Sequence, residues 1–254
     1  MRITFIGHAT LLIEIDGVRL LTDPLLRGRL GPLRRQGPLP DPATLTRLDA
    51  VLVSHAHPDH FDRQSLRLLT GVGRIIVPKG LVPAARRAMR GTDVPIVTEL
   101  AAGASVEVGA VRVTAVRARH WRWPMAPRVR TVGFLIEGTT RVYFAGDTGF
   151  YADMNRLDGR VDVALLPIGR WGPHPGPDRL GPASAARVAR VVGARVAIPV
   201  HWGTFYPAGF ARLWPRPLRE PPARFAAAAA REAPELEVRV LQPGQATEIE
   251  LSPR

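Results

Sequence analysis

Ala50-Val51-Leu52-Val53-Ser54-His55-Ala56-His57-Pro58-Asp59-His60 is the stretch on which the reading of this 254-residue chain turns. Its first half is a short apolar run, the pattern of a strand buried on both faces. Its second half gathers three imidazoles and a carboxylate within six residues. In an extended loop His55 and His57, at i and i+2, point the same way and can grip one ion. Asp59 and His60, a little further on, can turn toward a second. The chain has no cysteine, which excludes disulfides and thiolate ligands, so a metal site here must be built of imidazole and carboxylate.

A lone His-x-His pair is common and usually marks a solvated loop histidine. This one has company. His120 follows the strand-like run Val111–Arg117, Asp147 follows Arg141–Ala145 inside Ala145-Gly146-Asp147-Thr148-Gly149, and His201 follows Arg195–Val200. Alone, Asp147 would read as a turn aspartate and His201 as a core histidine. Taken in order, each at the end of a strand, they are groups that strand-end loops can bring to one rim.

The rest of the chain supplies the matching frame. Arg2–Ile6, Thr10–Ile15 and Val18–Thr22 read as strands, the last two joined by the hairpin signal Asp16-Gly17. Residues 25–43, rich in Gly, Pro and Arg, read as a long loop. Asp62 is a candidate cap for a helix over about residues 63–69, followed by a strand at Arg74–Val77 and a helix at Val82–Arg90. Hairpins are expected at Ser105–Val108 with Val111–Ala115, and at Val132–Glu137 with Arg141–Ala145. Val161–Leu166, a helix over 182–192 and Arg195–Val200 make a β-α-β unit. A helix near 222–232 then precedes strands near Glu237–Leu241 and Thr247–Leu251. Both halves give strands followed by helices, with no linker between them. The expected fold is α/β, a four-layer αββα sandwich in one domain over residues 1–254.

Composition bounds the setting. Hydrophobic residues make up 46% of the chain, ample for a core. No run of about 18 apolar residues is present and the N-terminus enters a strand-like pattern directly, so a cytoplasmic protein without a transmembrane segment is expected. The formal net charge of +13 raises a nucleic-acid partner. However, Lys79 is the only lysine and the arginines are spread along the chain instead of forming a basic run, so an anionic small molecule is the better expectation. A homo-oligomer is compatible with the sequence.

These motifs resemble those of the metallo-β-lactamase superfamily along nearly the whole chain: Thr22-Asp23-Pro24, Ser54-His55-Ala56-His57-Pro58-Asp59-His60, then His120, Asp147 and His201. The resemblance implies one metal held by His55, His57 and His120. It implies a second held by Asp59, His60 and His201, with Asp147 bridging and Asp23 orienting a ligand histidine. Ile6-Gly7-His8-Ala9-Thr10, Leu165-Leu166-Pro167-Ile168-Gly169, Pro199-Val200-His201-Trp202-Gly203-Thr204-Phe205 and Leu241-Gln242-Pro243-Gly244 are most similar to the branch containing ascorbate-6-phosphate lactonases and N-acyl-phosphatidylethanolamine phospholipases D. The chain departs from that branch at Gly181-Pro182-Ala183-Ser184-Ala185, where many relatives carry acidic residues.

The function implied is hydrolysis of a small anionic ester, a lactone or a phosphodiester, by a hydroxide bridging two divalent ions. Zinc is expected first, and manganese suits the same ligands. Asp59 and Asp147 are the candidate catalytic carboxylates. His8, Trp171 and Trp202 are candidate substrate contacts, with core or turn roles as the alternatives; His174 reads as a solvated loop histidine. Trp121 stands beside His120 and poses the same choice. Arg119, Arg122 and Arg170 are candidates to meet a substrate anion. The competing readings are a nuclease related to ribonuclease Z and a metal-bound protein that binds without turnover. Diiron flavoproteins of this fold carry Glu at the position of His57, which turns the reading toward hydrolysis.

Overall fold

Alternation along the strands builds the molecule. In the computed structural model, which describes residues 1–91, 96–122, 124–169 and 178–252, two seven-stranded sheets lie face to face. The first runs Ala246–Glu248, Arg2–Gly7, Thr10–Ile15, Val18–Thr22, Ala50–Leu52, Arg74–Pro78, Ile96–Leu100. The second runs Glu237–Val238, Val196–Val200, Val163–Pro167, Arg141–Phe144, Val132–Glu137, Val111–Arg117, Ser105–Val108.

Inward residues of both sheets, among them Phe5, Ile13, Leu20, Leu52 and Ile76 against Phe134, Ile136, Phe144, Leu165 and Ile198, form one shared core. Their sequence neighbours point outward. Leu12, Leu21, Val51 and Val53 meet the helix residues Leu66 and Ala85 on one outer face. Ala164, Leu166 and Ala197 meet Ala185, Ala189, Phe225 and Ala229 on the other, where small side chains let the helices sit close. The four layers of the expected sandwich follow directly.

Each sheet is half antiparallel and half parallel. The parallel halves carry most of the site: Asp23 follows Val18–Thr22, the histidine motif follows Ala50–Leu52, Asp147 follows Arg141–Phe144 and His201 follows Val196–Val200, while His8 and His120 follow the antiparallel strands Arg2–Gly7 and Val111–Arg117. Loops beyond the carboxyl ends of parallel strands are where open α/β sheets place their ligands.

The expected Asp16-Gly17 turn has both residues at positive φ, +51° and +78°, the conformation that a tight right-twisted hairpin needs. Asp62 caps Arg63–Leu68, its carboxylate accepting from the Ser65 amide at 2.9 Å.

Three expectations need correction. The stretch 25–43 is not one structureless loop: Arg29–Leu30 and Leu33–Arg35 form a hairpin that Phe205–Pro207 extends to three strands, a partner too distant in sequence to be read locally. The last helix is Arg216–Glu232, beginning six residues before the expected start; Pro221 and Pro222 looked like a boundary because each removes an intrahelical hydrogen bond, yet buried Pro222, Phe225, Ala228 and Ala229 line one face and hold the helix against the second sheet. The edge strand Ile96–Leu100 was not expected, since its largely exposed residues give no alternation to read. Among the described residues, no helix is long and apolar enough to cross a membrane.

Candidate metal centre

The centre is organised from below by Asp23, which is fully buried at φ +33° at the end of Val18–Thr22. Its carboxylate accepts from the Ser54 amide at 2.6 Å, from the Ser54 hydroxyl at 2.6 Å and from His60 Nδ1 at 2.7 Å. These bonds fix tautomers. Because the Ser54 hydroxyl donates to Asp23, its oxygen accepts from His55 Nδ1, 2.9 Å away. One buried carboxylate therefore aims two imidazoles, His60 directly and His55 through Ser54, each with its Nε2 turned inward. His120 is fixed likewise: Nδ1 lies 2.9 Å from the carbonyl of Asp178, which can only accept, so Nε2 carries the lone pair.

Two groups of side chains result. His55, His57, His120 and Asp147 place one ligand-type atom each within 4.8 Å of one another, and so do His8, Asp59, His60 and His201. Within the first group His57 Nδ1 lies 2.8 Å from His55 Nε2 and 3.2 Å from His120 Nε2. In the second, His60 Nε2 and His201 Nε2 approach to 3.2 Å. Asp147 stands between the groups, with Oδ2 at 3.6 Å from His120 Nε2 and Oδ1 at 3.6 Å from His60 Nε2 and 3.4 Å from His201 Nε2. Imidazole nitrogens and carboxylate oxygens converge on one buried space. They match as ligands for a cation. The donor set therefore fits divalent metal chemistry.

Burial, and after it neighbouring imidazoles, pushes His57 down to about 4 and His8 to about 3, and takes His55 well below its ordinary value; burial also lowers His120. Burial alone would raise Asp147 and Asp59. His201 and His60 overcome it at Asp147, and His60 with hydrogen bonds from His201, His60 and His8 overcomes it at Asp59, so both carboxylates sit below the usual range. His60 goes the other way: burial lowers it, but Asp59, Asp147 and Asp23 surround it and push it well up. Burial likewise raises Asp23, against its bonds from His60 and Ser54. The pattern is two ionised carboxylates among largely neutral imidazoles, an electron-rich cage.

His8 deserves separate description. It sits at φ +61° and His201 at φ +59°, an unfavourable conformation for side-chain-bearing residues. The two hold each other, since the His201 amide donates to the His8 carbonyl at 2.7 Å while the His8 amide donates to Thr204 Oγ1 at 2.8 Å. His8 Nε2 lies 3.0 Å from Asp59 Oδ2. An ionised Asp59 only accepts, so His8 donates and steadies that carboxylate.

Among the other candidate contacts, Trp121 is 42% exposed with its ring 4.4 Å from that of His57, a wall beside the first group. Trp202 is turned into the core: it is 8% exposed, donates from Nε1 to the Pro199 carbonyl at 2.9 Å and stacks on Phe5. Arg119 is tied to Asp178 at 2.9 Å. Arg170, Trp171 and His174 lie outside the described residues. Sequence reasoning assigned no role to Ser54, Thr204 or the Asp178 carbonyl. Ser54 stands inside the quoted motif, but its relay to His55 becomes legible only when Asp23 is seen beside it.

The chain matches the family described as "Beta-lactamase superfamily domain" over residues 18–202. It is 34% identical over 257 residues to a UPF0173 metal-dependent hydrolase of Methanopyrus kandleri, covering 98% of this chain and 100% of that one. It is 32% identical over 238 residues to N-acyl-phosphatidylethanolamine-hydrolyzing phospholipase D 1 of Caenorhabditis elegans, covering 84% of this chain and 67% of that one. Igni18, a metallo hydrolase from Ignicoccus hospitalis, superposes with a TM-score of 0.74 at 23% identity, over 99% of both chains, and shows the same fold. This chain thus belongs to the metallo-β-lactamase superfamily, in the branch that includes UPF0173 metal-dependent hydrolases and N-acyl-phosphatidylethanolamine-hydrolysing phospholipases D, and is by that membership a metal-dependent hydrolase.

Proposed function

We propose that the chain, as one domain over residues 1–254, is a binuclear hydrolase of small anionic esters. His55, His57 and His120 would hold one divalent ion, Asp59, His60 and His201 the other, with Asp147 between them. The observation that carries this reading is the placement of Asp147, whose two oxygens face different histidine groups. Bound there, two such ions, zinc first and manganese next, would supply Lewis acidity, the chemistry that makes water nucleophilic at neutral pH and stabilises charge gained by a substrate oxygen.

The protein's own residues do the remaining work. Asp23 fixes His60 and, through Ser54, His55, so that the ligand nitrogens are aimed before any ion arrives. His8 holds Asp59, and the Asp178 carbonyl holds His120. Trp121 supplies an exposed aromatic face for the organic part of the substrate. A phosphodiester is in keeping with the relatives named as phospholipases D, and a lactone offers the same electrophilic centre to attack.

The test is activity of the zinc-loaded chain against bis-(p-nitrophenyl) phosphate, a lactone panel and structured RNA, with His55→Ala/His57→Ala alongside. Metal content and turnover should vanish together in the double variant. Hydrolysis that survives loss of the metals would refute the reading, and preferential cleavage of RNA would replace it with a nuclease.

A further inference from the structure

The cavity that borders His120 has an unusual lining. It encloses about 490 Å³ and is bordered by Lys79, Arg117, Arg119, Arg122 and Arg130, with Asp178 as the acid among them. Asp178 is occupied by Arg119 at 2.9 Å, and Arg117 is met by Asp153 at 3.1 Å. Among the described residues, Lys79, Arg122 and Arg130 form no ion pair. The general abundance of arginine does not account for this. Two other cavities of similar size, about 460 and 560 Å³, are bordered by two arginines and one respectively. The cleft also recruits the chain's only lysine, placed directly after the strand Arg74–Pro78. Two stretches far apart in sequence, at Lys79 and at residues 122–130, thus bring cations without an ion pair among the described residues to one concavity. Its floor, at Leu100 and Val132, is apolar.

We propose that this cleft is the seat of the substrate's anionic group, a phosphate, sulfonate or carboxylate separate from the bond to be hydrolysed. This deepens the reading given under Proposed function and rests on it. His120 makes the connection: its residue borders the cleft while its Nε2 points into the metal centre. An anion held by Lys79, Arg122 and Arg130 lies one side chain away from the ions, and a short apolar body can rest on Leu100 and Val132 between the two. The volume suits a small organic molecule, in the range of roughly 300–1,000 Å³ typical of such pockets.

Binding can be read without turnover. The probe is benzenesulfonate, an anion with an apolar body and little affinity for zinc, titrated calorimetrically into the zinc-loaded full chain. Lys79→Gln combined with Arg130→Gln should raise its Kd by about tenfold or more, because charge-assisted contacts are lost. Lys79→Arg with Arg130→Lys, which keeps the charge, should stay within about threefold, and Arg231→Gln, on the helix Arg216–Glu232 over the outer face of the second sheet, within about twofold. For an ester carrying a remote anion, the Gln pair should raise KM and leave kcat unchanged, the mark of binding energy expressed equally in ground and transition states.

An unchanged Kd in the Gln pair, or equal binding of benzenesulfonate and benzyl alcohol, would overturn the assignment. So would structured RNA that displaces the probe and depends on the same two residues more steeply, which would make the cleft a nucleic-acid surface. These failures are separable from failure of the hydrolase reading, which would show as hydrolysis persisting after the metals are removed.

Discussion

Replacing Asp23 by Asn is the perturbation that reaches furthest into the centre. The side chain keeps its size, but one acceptor oxygen becomes a donor. The carboxylate takes three hydrogen bonds, from the Ser54 amide, the Ser54 hydroxyl and His60 Nδ1, all at 2.6–2.7 Å. An amide cannot accept all three, and at least one of the two imidazoles it aims is released. Loss of an orienting carboxylate behind a metal-bound histidine costs about 10–100-fold in affinity. Here the same group aims His60 in one histidine group and His55, by way of Ser54, in the other. D23N should therefore weaken at least one ion, and both where both imidazoles are released, by about 1.4–2.8 kcal/mol each. Ser54→Ala cuts only the branch to His55 and should weaken one ion while sparing the other. Competition with a chromophoric zinc chelator measures both constants, with far-ultraviolet circular dichroism to verify the fold. The reasoning fails if D23N retains both affinities within about twofold, or if S54A and D23N lose the same two sites equally.

Other expectations follow from the same structure. Gly146 is at φ +58°, and a Cβ there would stand 2.8 Å from Ser54 Cβ and 3.1 Å from the Val132 carbonyl, so G146A should cost about 2 kcal/mol or more in urea unfolding and weaken zinc binding; a neutral effect would contradict the close packing under the centre. Phe134 is fully buried between the sheets, and F134A should cost about 3–5 kcal/mol by the same assay, whereas a loss under about 1 kcal/mol would deny the shared core. Free zinc at about a thousandfold its Kd stabilises the folded chain by about 4 kcal/mol, so chelation should lower Tm by about 8–16 °C in a scanning calorimeter; an unchanged Tm would mean that the centre is not where the metal binds.

How much of this was legible in the sequence depends on how local each feature is. The short apolar runs Thr10–Ile15 and Val132–Glu137 need only neighbouring residues to be read as strands, and they are buried on both faces as such runs imply. The histidine motif and its distant companions were visible as strand-end residues, though their convergence in space was an inference from pattern. What escaped was built from remote pieces. Phe205–Pro207 pairs with Leu33–Arg35 across most of the chain, so residues 25–43 looked like a bare loop. Trp202 stands next to His201 in sequence, yet its ring is largely buried and stacks on Phe5, which the sequence does not show. The basic cleft is half such a case: Arg119 and Arg122 were candidates for a substrate anion, but Lys79 and Arg130 were not. Its cations come from separate segments of a chain full of arginine, and no run of charge announces them.

The central claim is that two ions sit in this chain, one in each histidine group, with Asp147 between them. Anomalous diffraction at the zinc edge from crystals of the zinc-loaded protein tests it most directly. Two peaks per chain are expected, one among His55, His57 and His120 and one among Asp59, His60 and His201. A single peak, or peaks away from these residues, would contradict it.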